Sequence, residues 1–230
     1  MRRSINRNFA GAHMYAPTAF LHIKVDIKTL FIMQNTLLKS KKYVIILLMT
    51  LKLTEEAMRN LFVPDYMFAD IYKITPEFIK SIGVRALVLD IDNTLVTYAV
   101  EEPTPEVIAW VRGMQESGLS LCIASNNHVP RVEKFNEKLG LFFMCESGKP
   151  SRKAVKTACA HFGVKPTEVA VIGDQIFTDV LCASRAGATA ILVTPIPYDE
   201  NLFFRFKRVC EKPFIRAYKR REEKRLRAKK

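Results

Sequence analysis

An aliphatic run that ends in two closely spaced carboxylates constrains the fold of this chain more than its other features do. Residues 87–94 read Leu-Val-Leu-Asp-Ile-Asp-Asn-Thr. In a buried parallel strand, alternate side chains lie on one face, so Asp90 and Asp92 are expected to emerge together. They follow the carboxyl end of the strand, where open α/β sheets bind ligands. Two like charges at this spacing predict a divalent cation, and a division of roles between a nucleophile and an acid.

The net charge of +13 is unevenly distributed along the 230 residues. Residues 205–230 hold thirteen Lys and Arg against three Glu, and residues 1–53 hold nine against one Asp. The segment between them is acidic, so the basic character says little about a central catalytic domain. Five cysteines without a C-x-x-C pair indicate reduced thiols in a cytosol, and they argue against a disulfide framework or a zinc site.

The pattern of turns and apolar runs predicts three parts. Residues 1–57 are expected to be a poorly ordered or spurious leader, with translation starting at Met49 or Met58. The alternative is a mitochondrial presequence. The apolar run at 43–51 is far shorter than the roughly 20 residues that span a bilayer. Residues 58–204 are predicted to form the folded domain, and residues 205–230 a basic C-terminal tail.

Strands and helices alternate through the predicted domain. The predicted strands are 84–89, 119–124, 141–144, 169–172 and 189–194, and the predicted helices are 104–117, 130–139, 151–161 and 177–185. Thr104-Pro105-Glu106 is typical of a helix start, with a capping hydroxyl, a proline in the first turn and an acid near the positive end of the dipole. This alternation predicts a single doubly wound, Rossmann-like parallel α/β sheet with right-handed crossovers.

Further polar residues follow the other strands, and the carboxyl ends of parallel strands share one edge of a sheet. They are Ser125 and Asn126 after the second strand, Lys149 in the loop before the third helix, and Asp174 and Asp179 after the fourth strand. This order of D-x-D-x-T, Ser, Lys and G-D-x-x-x-x-D resembles the haloacid dehalogenase (HAD) superfamily of phosphatases. The ordered combination is far more specific than any one of its parts.

Segments on both sides of the first strand are similar to the bacterial YqeG-type HAD subfamily, which is related to the mitochondrial phosphatidylglycerophosphate phosphatases. They are 61–65 (Leu-Phe-Val-Pro-Asp), 71–76 (Ile-Tyr-Lys-Ile-Thr-Pro), 149–150 (Lys-Pro) and 173–180 (Gly-Asp-Gln-Ile-Phe-Thr-Asp-Val). The resemblance extends from about residue 60 to about residue 200. It implies a HAD-like fold and a phosphoric monoester hydrolase.

Chemistry and the resemblance agree on the residues that would act on the substrate. Asp90 would attack phosphorus and form an aspartyl-phosphate. Asp92 would donate a proton to the leaving oxygen and then accept one from the attacking water. Ser125 and Asn126 would bind the phosphoryl group, although this segment can also be a simple turn. Lys149 would neutralise charge on the phosphoryl group and on the nucleophile.

A Mg²⁺ ion is the cofactor that this set of residues implies, because Mg²⁺ prefers oxygen ligands. Asp90, the backbone carbonyl of Asp92 and Asp174 would supply the protein ligands. Asp179 would be a direct ligand or a support, and its alternative role is to favour a helix dipole. Thr94 is expected to order the loop and to take no part in the chemistry.

No large cap domain is expected over this site. Neither residues 93–103 nor the 23 residues between Ser125 and Lys149 can house one. Water must therefore be excluded by the substrate itself or by another subunit of an oligomer. An open site suits a phosphomonoester displayed on something large, such as a lipid headgroup.

The residues predict a Mg²⁺-dependent phosphatase. The family resemblance, together with the open site, implies phosphatidylglycerophosphate as the substrate. The protein is expected to be cytoplasmic and peripheral at the inner membrane face, because basic and aromatic residues at 201–208 can bind an anionic membrane. The same residues can bind a nucleic-acid backbone, and the third interpretation is a solvated tail. The alternative functions are a phosphatase of a soluble metabolite and a non-catalytic RNA- or ribosome-associated protein.

Overall fold

A six-stranded sheet forms the centre of the protein. The computed structural model describes residues 60–197 and 202–228, so the predicted leader 1–57 lies outside the described residues. The strands are β1 (Tyr66–Phe68), β2 (Ala86–Leu89), β3 (Ser120–Ala124), β4 (Phe142–Met144), β5 (Val169–Gly173) and β6 (Thr189–Val193). All pairs are parallel, in the order β1-β6-β5-β2-β3-β4. The strand that delivers the two aspartates therefore lies in the middle of the sheet.

Helices flank this sheet along the described chain. They are α1 (Pro76–Ser81), α2 (Pro105–Glu116), α3 (Val129–Asn136), α4 (Lys153–Phe162), α5 (Leu181–Ala186) and α6 (Leu202–Arg227). Local chemistry sets their ends as predicted for α2, where the Thr104 hydroxyl accepts a hydrogen bond from the Val107 N–H at 3.3 Å. Short 3₁₀ turns at Ile71–Lys73 and Pro166–Glu168 precede α1 and β5, and a π-helical turn at Ile176–Val180 precedes α5.

Each face of the sheet packs against its own apolar cluster. Leu87 and Leu89 of β2 belong to a cluster with residues of α1, α2 and α3. Ala86 and Val88 of the same strand belong to a second cluster with residues of α4 and α5. Burial on both faces explains why this strand is a continuous aliphatic run and does not alternate with polar residues. The predicted doubly wound parallel α/β fold is confirmed.

Two details of the domain differ from the sequence expectation. Strand β1 was not predicted, because its three residues are too few to show a period, and it is placed by pairing with β6 (Tyr66 opposite Ile191). The helix predicted over 177–185 begins as the π-helical turn and becomes α-helical only at Leu181. That turn holds Asp179, so its geometry bears directly on the site.

Helix α6 contains residues 205–227 of the segment predicted to be a basic tail, and one of its faces packs on the α/β domain. The Phe214 ring lies 5.1 Å from that of Phe62, and the Tyr218 hydroxyl accepts a hydrogen bond from the Met67 N–H at 3.2 Å. Within residues 60–197, no inserted cap domain follows β2 or β3, as expected. No helix in the described ranges combines the length and the apolar character needed to cross a bilayer.

Candidate active site

The strand register brings two acidic residues together at the carboxyl edge of the sheet. In the pairing of β2 with β5, Leu89 lies opposite Ile172, and the Asp90 N–H continues the ladder by donating to the Ile172 carbonyl at 3.0 Å. Asp174 follows β5 directly. Both aspartates are buried, at 8% and 2% exposure. The predicted convergence of Asp90 and Asp174 therefore follows from neighbouring strands that end at the same level.

Lys149 connects two of the carboxylates. Its Nζ lies 2.6 Å from Asp90 Oδ1 and 2.8 Å from Asp179 Oδ1, and its side chain is 2% exposed. Asn126 holds the lysine loop, since its Nδ2 donates to the Lys149 carbonyl and its Oδ1 accepts from the Lys149 N–H, each at 2.9 Å. The side-chain amide of Asn126, which was expected to bind phosphate, is thus engaged in orienting Lys149.

Three buried carboxylates form a cluster that fits a metal ion. Asp90, Asp174 and Asp179 each offer an oxygen, and these oxygens lie within 4.8 Å of one another. The Thr94 hydroxyl lies 3.3 Å from Asp90 Oδ2 and 3.5 Å from Asp174 Oδ1, so it lies between two of them. An all-oxygen donor set with excess negative charge is the type of site that Mg²⁺ prefers.

Burial and neighbouring charges shift the ionisation of the cluster. Burial raises the pKa of Asp90 to about 8, against the lowering effect of the Lys149 charge. Burial likewise raises the pKa of Asp174 to about 6, against the charge of Arg208. Burial lowers the pKa of Lys149, but the charges of Asp179 and Asp90 outweigh it and the net shift is upward. A divalent cation at the cluster would favour the ionised carboxylates.

Gly173 allows Asp179 to reach the cluster. A Cβ at position 173 would lie 2.2 Å from Asp179 Cγ and 2.5 Å from Asp179 Cβ, distances that atoms cannot adopt. The π-helical turn directs the Asp179 side chain back over the glycine, where its Oδ2 accepts from the Gln175 N–H at 3.2 Å and the Thr178 hydroxyl at 3.1 Å. The glycine of G-D-x-x-x-x-D is therefore needed for a close approach.

The Asp92 side chain lies outside the three-carboxylate cluster. Its Oδ1 accepts from Arg131 Nη2 at 3.1 Å, and its Oδ2 accepts from Asn127 Nδ2 at 3.3 Å. The side chain of Asp92 is therefore engaged by these two residues. Its backbone carbonyl remains the group that is expected to contact a metal.

Ser125 is 1% exposed, and its hydroxyl accepts a hydrogen bond from the Asn127 N–H at 3.0 Å. Arg131 was not predicted, because no motif distinguishes it from other helix cations.

A second unpredicted cation reaches the site from helix α6. Arg208 donates through Nη1 to the Asp174 carbonyl at 2.7 Å, and its Nη2 forms an ion pair with Asp174 Oδ2. Arg208 and Asp174 are 34 residues apart, and Arg208 lies in a segment dense in basic residues. No sequence signal separates it from its neighbours.

Comparison with known proteins gives matches over this domain. A family model described as HAD-hydrolase-like matches residues 146–195, which include Lys149, Asp174 and Asp179. The chain is 38% identical to the protein named "Probable phosphatase YqeG" of Bacillus subtilis (strain 168) over 164 residues. That match covers 71% of this chain and 95% of the Bacillus protein.

Two more distant relatives carry names that specify a substrate. Over 154 residues the chain is 24% identical to "Phosphatidylglycerophosphate phosphatase 1, chloroplastic/mitochondrial" of Arabidopsis thaliana, covering 63% of this chain and 44% of that protein. Over 187 residues it is 27% identical to "Glyceraldehyde 3-phosphate phosphatase" of Methanopyrus kandleri, covering 65% of this chain and 80% of that protein.

Proposed function

Because this chain belongs to the HAD-like phosphatases, in the family of YqeG, we propose that it hydrolyses phosphomonoesters with Mg²⁺ through an aspartyl-phosphate on Asp90. The observation that carries the proposal is the position of Lys149, whose Nζ contacts both Asp90 and Asp179 beside the third carboxylate, Asp174. A nucleophile, a fixed cation and a set of metal ligands within one small volume are the parts that phosphoryl transfer needs.

In the proposed reaction, hydrolysis takes place in two displacements at phosphorus. A carboxylate oxygen of Asp90 forms a bond to phosphorus while the bond to the leaving oxygen breaks, and Asp92 gives that oxygen a proton. A water molecule then attacks the aspartyl-phosphate. Asp92 accepts the proton of that water, the bond from Asp90 to phosphorus breaks, and inorganic phosphate leaves. Both aspartates return to their starting protonation states.

The remaining residues have supporting roles in this proposal. Lys149 offsets negative charge on Asp90 and on the phosphoryl oxygens, and Ser125 donates a hydrogen bond to one of those oxygens. Asn126 keeps Lys149 in place through the two hydrogen bonds to the lysine backbone. Arg131, whose Nη2 lies 3.1 Å from Asp92 Oδ1, holds the Asp92 side chain in position.

Asp90, Asp174 and the backbone carbonyl of Asp92 would hold Mg²⁺, with Asp179 as a ligand or a support. When bound, the ion supplies positive charge that stabilises the transferring phosphoryl oxygens. The fit rests on the three buried carboxylates whose oxygens lie within 4.8 Å of one another.

The proposed substrate is phosphatidylglycerophosphate, presented at a membrane. The described domain has no cap to close over a small molecule, and exposed cations of helix α6 can bind anionic lipid. The name of the Arabidopsis relative supports the same substrate. The proposed location is therefore cytoplasmic, peripheral at the inner membrane face. A soluble phosphorylated metabolite is the second candidate, which the name of the Methanopyrus relative favours.

The test measures phosphate release by the wild-type protein and two variants, with and without MgCl₂. Asp90→Asn should lower turnover at least about a thousandfold because the nucleophile is lost, while the fold is retained. Glu116→Gln, at an exposed position of α2, is the matched control and should behave as wild type. Retained turnover in the Asp90 variant would contradict the mechanism.

The substrate is decided by offering vesicles that contain phosphatidylglycerophosphate beside a panel of soluble sugar phosphates. A preference for the vesicles of at least about tenfold in kcat/KM supports the lipid. Equal or better turnover of a soluble ester would move the proposal to the second candidate and would leave the mechanism unchanged.

A further inference from the structure

Helix α6 brings a pair of opposite charges, a largely buried arginine and a buried glutamate, to the edge of the three-carboxylate cluster. The side chains of Arg208 and Glu211 are 17% and 3% exposed, and Arg208 Nη1 lies 3.2 Å from Glu211 Oε2. Most other charged side chains that the structure describes on this helix are exposed. Because removing charges from water is costly, a buried pair needs further hydrogen bonds to be stable. Among the described residues, hydrogen bonds from this pair go to the segment 174–176.

The pair holds this segment at three points. Arg208 donates to the backbone carbonyl of Asp174 at 2.7 Å and forms an ion pair with Asp174 Oδ2. Glu211 Oε1 accepts from the Ile176 N–H at 2.8 Å, where the π-helical turn begins. Both the main chain and the carboxylate of Asp174 are thus fixed from helix α6. The start of the turn that carries Asp179 is fixed as well.

Lys149 and Arg208 contact different carboxylate oxygens from those near Thr94. Lys149 contacts Asp90 Oδ1, and Arg208 contacts Asp174 Oδ2. The other oxygen of each aspartate, Asp90 Oδ2 and Asp174 Oδ1, lies within 3.5 Å of the Thr94 hydroxyl. Each carboxylate is therefore held through one oxygen while the second faces a shared position. Arg208 thus holds one oxygen of Asp174, as Lys149 holds one oxygen of Asp90.

We propose that Arg208 is a positioning residue that orients Asp174 for the metal, and that Glu211 keeps Arg208 in place. Helix α6 then contributes two positioning residues to the active site. The inference rests on the proposed function, because it takes Asp174 as a metal ligand. Groups that orient a metal ligand commonly contribute 10- to 100-fold to metal affinity (roughly). The opposite reading, in which Arg208 occupies the cation position and competes with the metal, predicts an effect of opposite sign.

The test is calorimetric titration of the metal-free full-length protein with MgCl₂. Arg208→Gln should weaken Mg²⁺ binding by roughly 10- to 100-fold. The Mg²⁺ affinity of Arg208→Lys should lie between those of Arg208→Gln and wild type. Lysine keeps the charge, but it has no planar group that contacts the Asp174 carbonyl, the Asp174 carboxylate and Glu211 together. Arg216→Gln, at an exposed position two turns along the same helix, is the matched control and should bind as wild type.

Thermal melting of each metal-free variant separates loss of the site from loss of the fold. If Arg208→Gln does not fold, the Lys variant carries the test, with a weaker affinity than the Arg216 control expected. Unchanged or tighter Mg²⁺ binding in folded Arg208 variants would overturn the inference and, if tighter, would favour competition. None of these outcomes depends on phosphate release by the wild-type protein. A wild-type protein that binds Mg²⁺ but releases no phosphate would overturn the proposed function and not the role of Arg208.

Discussion

At the scale of single residues, the site depends on a close approach that admits no additional atom. The Asp179 carboxylate contacts Lys149 Nζ at 2.8 Å, and a Cβ at position 173 would lie 2.5 Å from Asp179 Oδ2. A methyl group at position 173 must push Asp179 away from the lysine or distort the end of β5. Either displacement separates groups that the proposed mechanism needs together.

Gly173→Ala is therefore expected to damage both activity and stability. A displacement of about 1 Å in a catalytic group costs on the order of a hundredfold in turnover, and overpacking costs about 1–3 kcal/mol in the free energy of unfolding. Phosphate release and urea denaturation measure the two effects. The control is Gly113→Ala in helix α2, where a Cβ meets nothing within 4 Å. It should stabilise the protein by about 0.5–1 kcal/mol, since alanine favours a helix interior.

Two kinds of reasoning predicted the acidic residues and the lysine of the site. The ends of parallel strands meet at one edge, and the order of motifs resembles that of the HAD superfamily. The same reasoning could not predict Arg131 or Arg208. Both are arginines on helices that carry other cations, and neither stands at a diagnostic spacing from the aspartates. Only the docking of helices α3 and α6 gives these two arginines partners in the site.

At the scale of elements, helix α6 and the edge strand β1 support each other. Among the described residues, strand β1 pairs with β6 alone, so the other side of β1 needs partners for its backbone groups. The hydroxyl of Tyr218 on α6 accepts from the Met67 N–H of that strand at 3.2 Å. Arg221, one turn along the helix, donates to the carbonyl of Pro64 just before β1. The long basic helix thus protects an edge of the sheet.

Tyr218→Phe isolates the contribution of this contact, because it removes one hydroxyl and keeps the ring. The free energy of unfolding should fall by about 0.5–1.5 kcal/mol, the usual contribution of such a hydrogen bond. Urea denaturation measures it, with Tyr98→Phe as the control at a side chain that is 60% exposed. Equal stability of the two variants would show that water accepts the Met67 N–H hydrogen bond as well as the Tyr218 hydroxyl does. Mg²⁺ affinity should stay unchanged in both.

At the scale of the whole molecule, the buried carboxylates link folding to pH. The pKa of Asp90 is about 8 in the folded protein, against an ordinary value of 3.8. Between these values the folded state keeps a proton that the unfolded chain has released. The stability associated with this proton is fully present below about pH 4 and is lost as the pH rises toward 8. Asp174, with a pKa of about 6, adds to this loss in the lower part of the range.

The free energy of unfolding of the protein in EDTA should therefore fall by about 2 kcal/mol between pH 6 and pH 8 through Asp90. Denaturant titrations at several pH values measure this slope. In Asp90→Asn the slope should be clearly smaller, because the side chain no longer titrates. Saturating Mg²⁺ should flatten the wild-type slope by binding the ionised form. A variant with the full wild-type slope would assign the pH dependence to another group.

The sequence by itself determined the parallel α/β fold and the edge at which the carboxylates emerge. The spacing of apolar residues and the residues that end each strand are properties of a short segment. They can be recognised without knowing which other segment packs against it. Tertiary structure alone decided the place of β1, the orienting role of Asn126 and the contacts of Arg208 and Glu211 with residues 174–176. These depend on which distant surfaces pack together. Packing follows the shape and burial of whole elements, which a pattern along one segment does not contain.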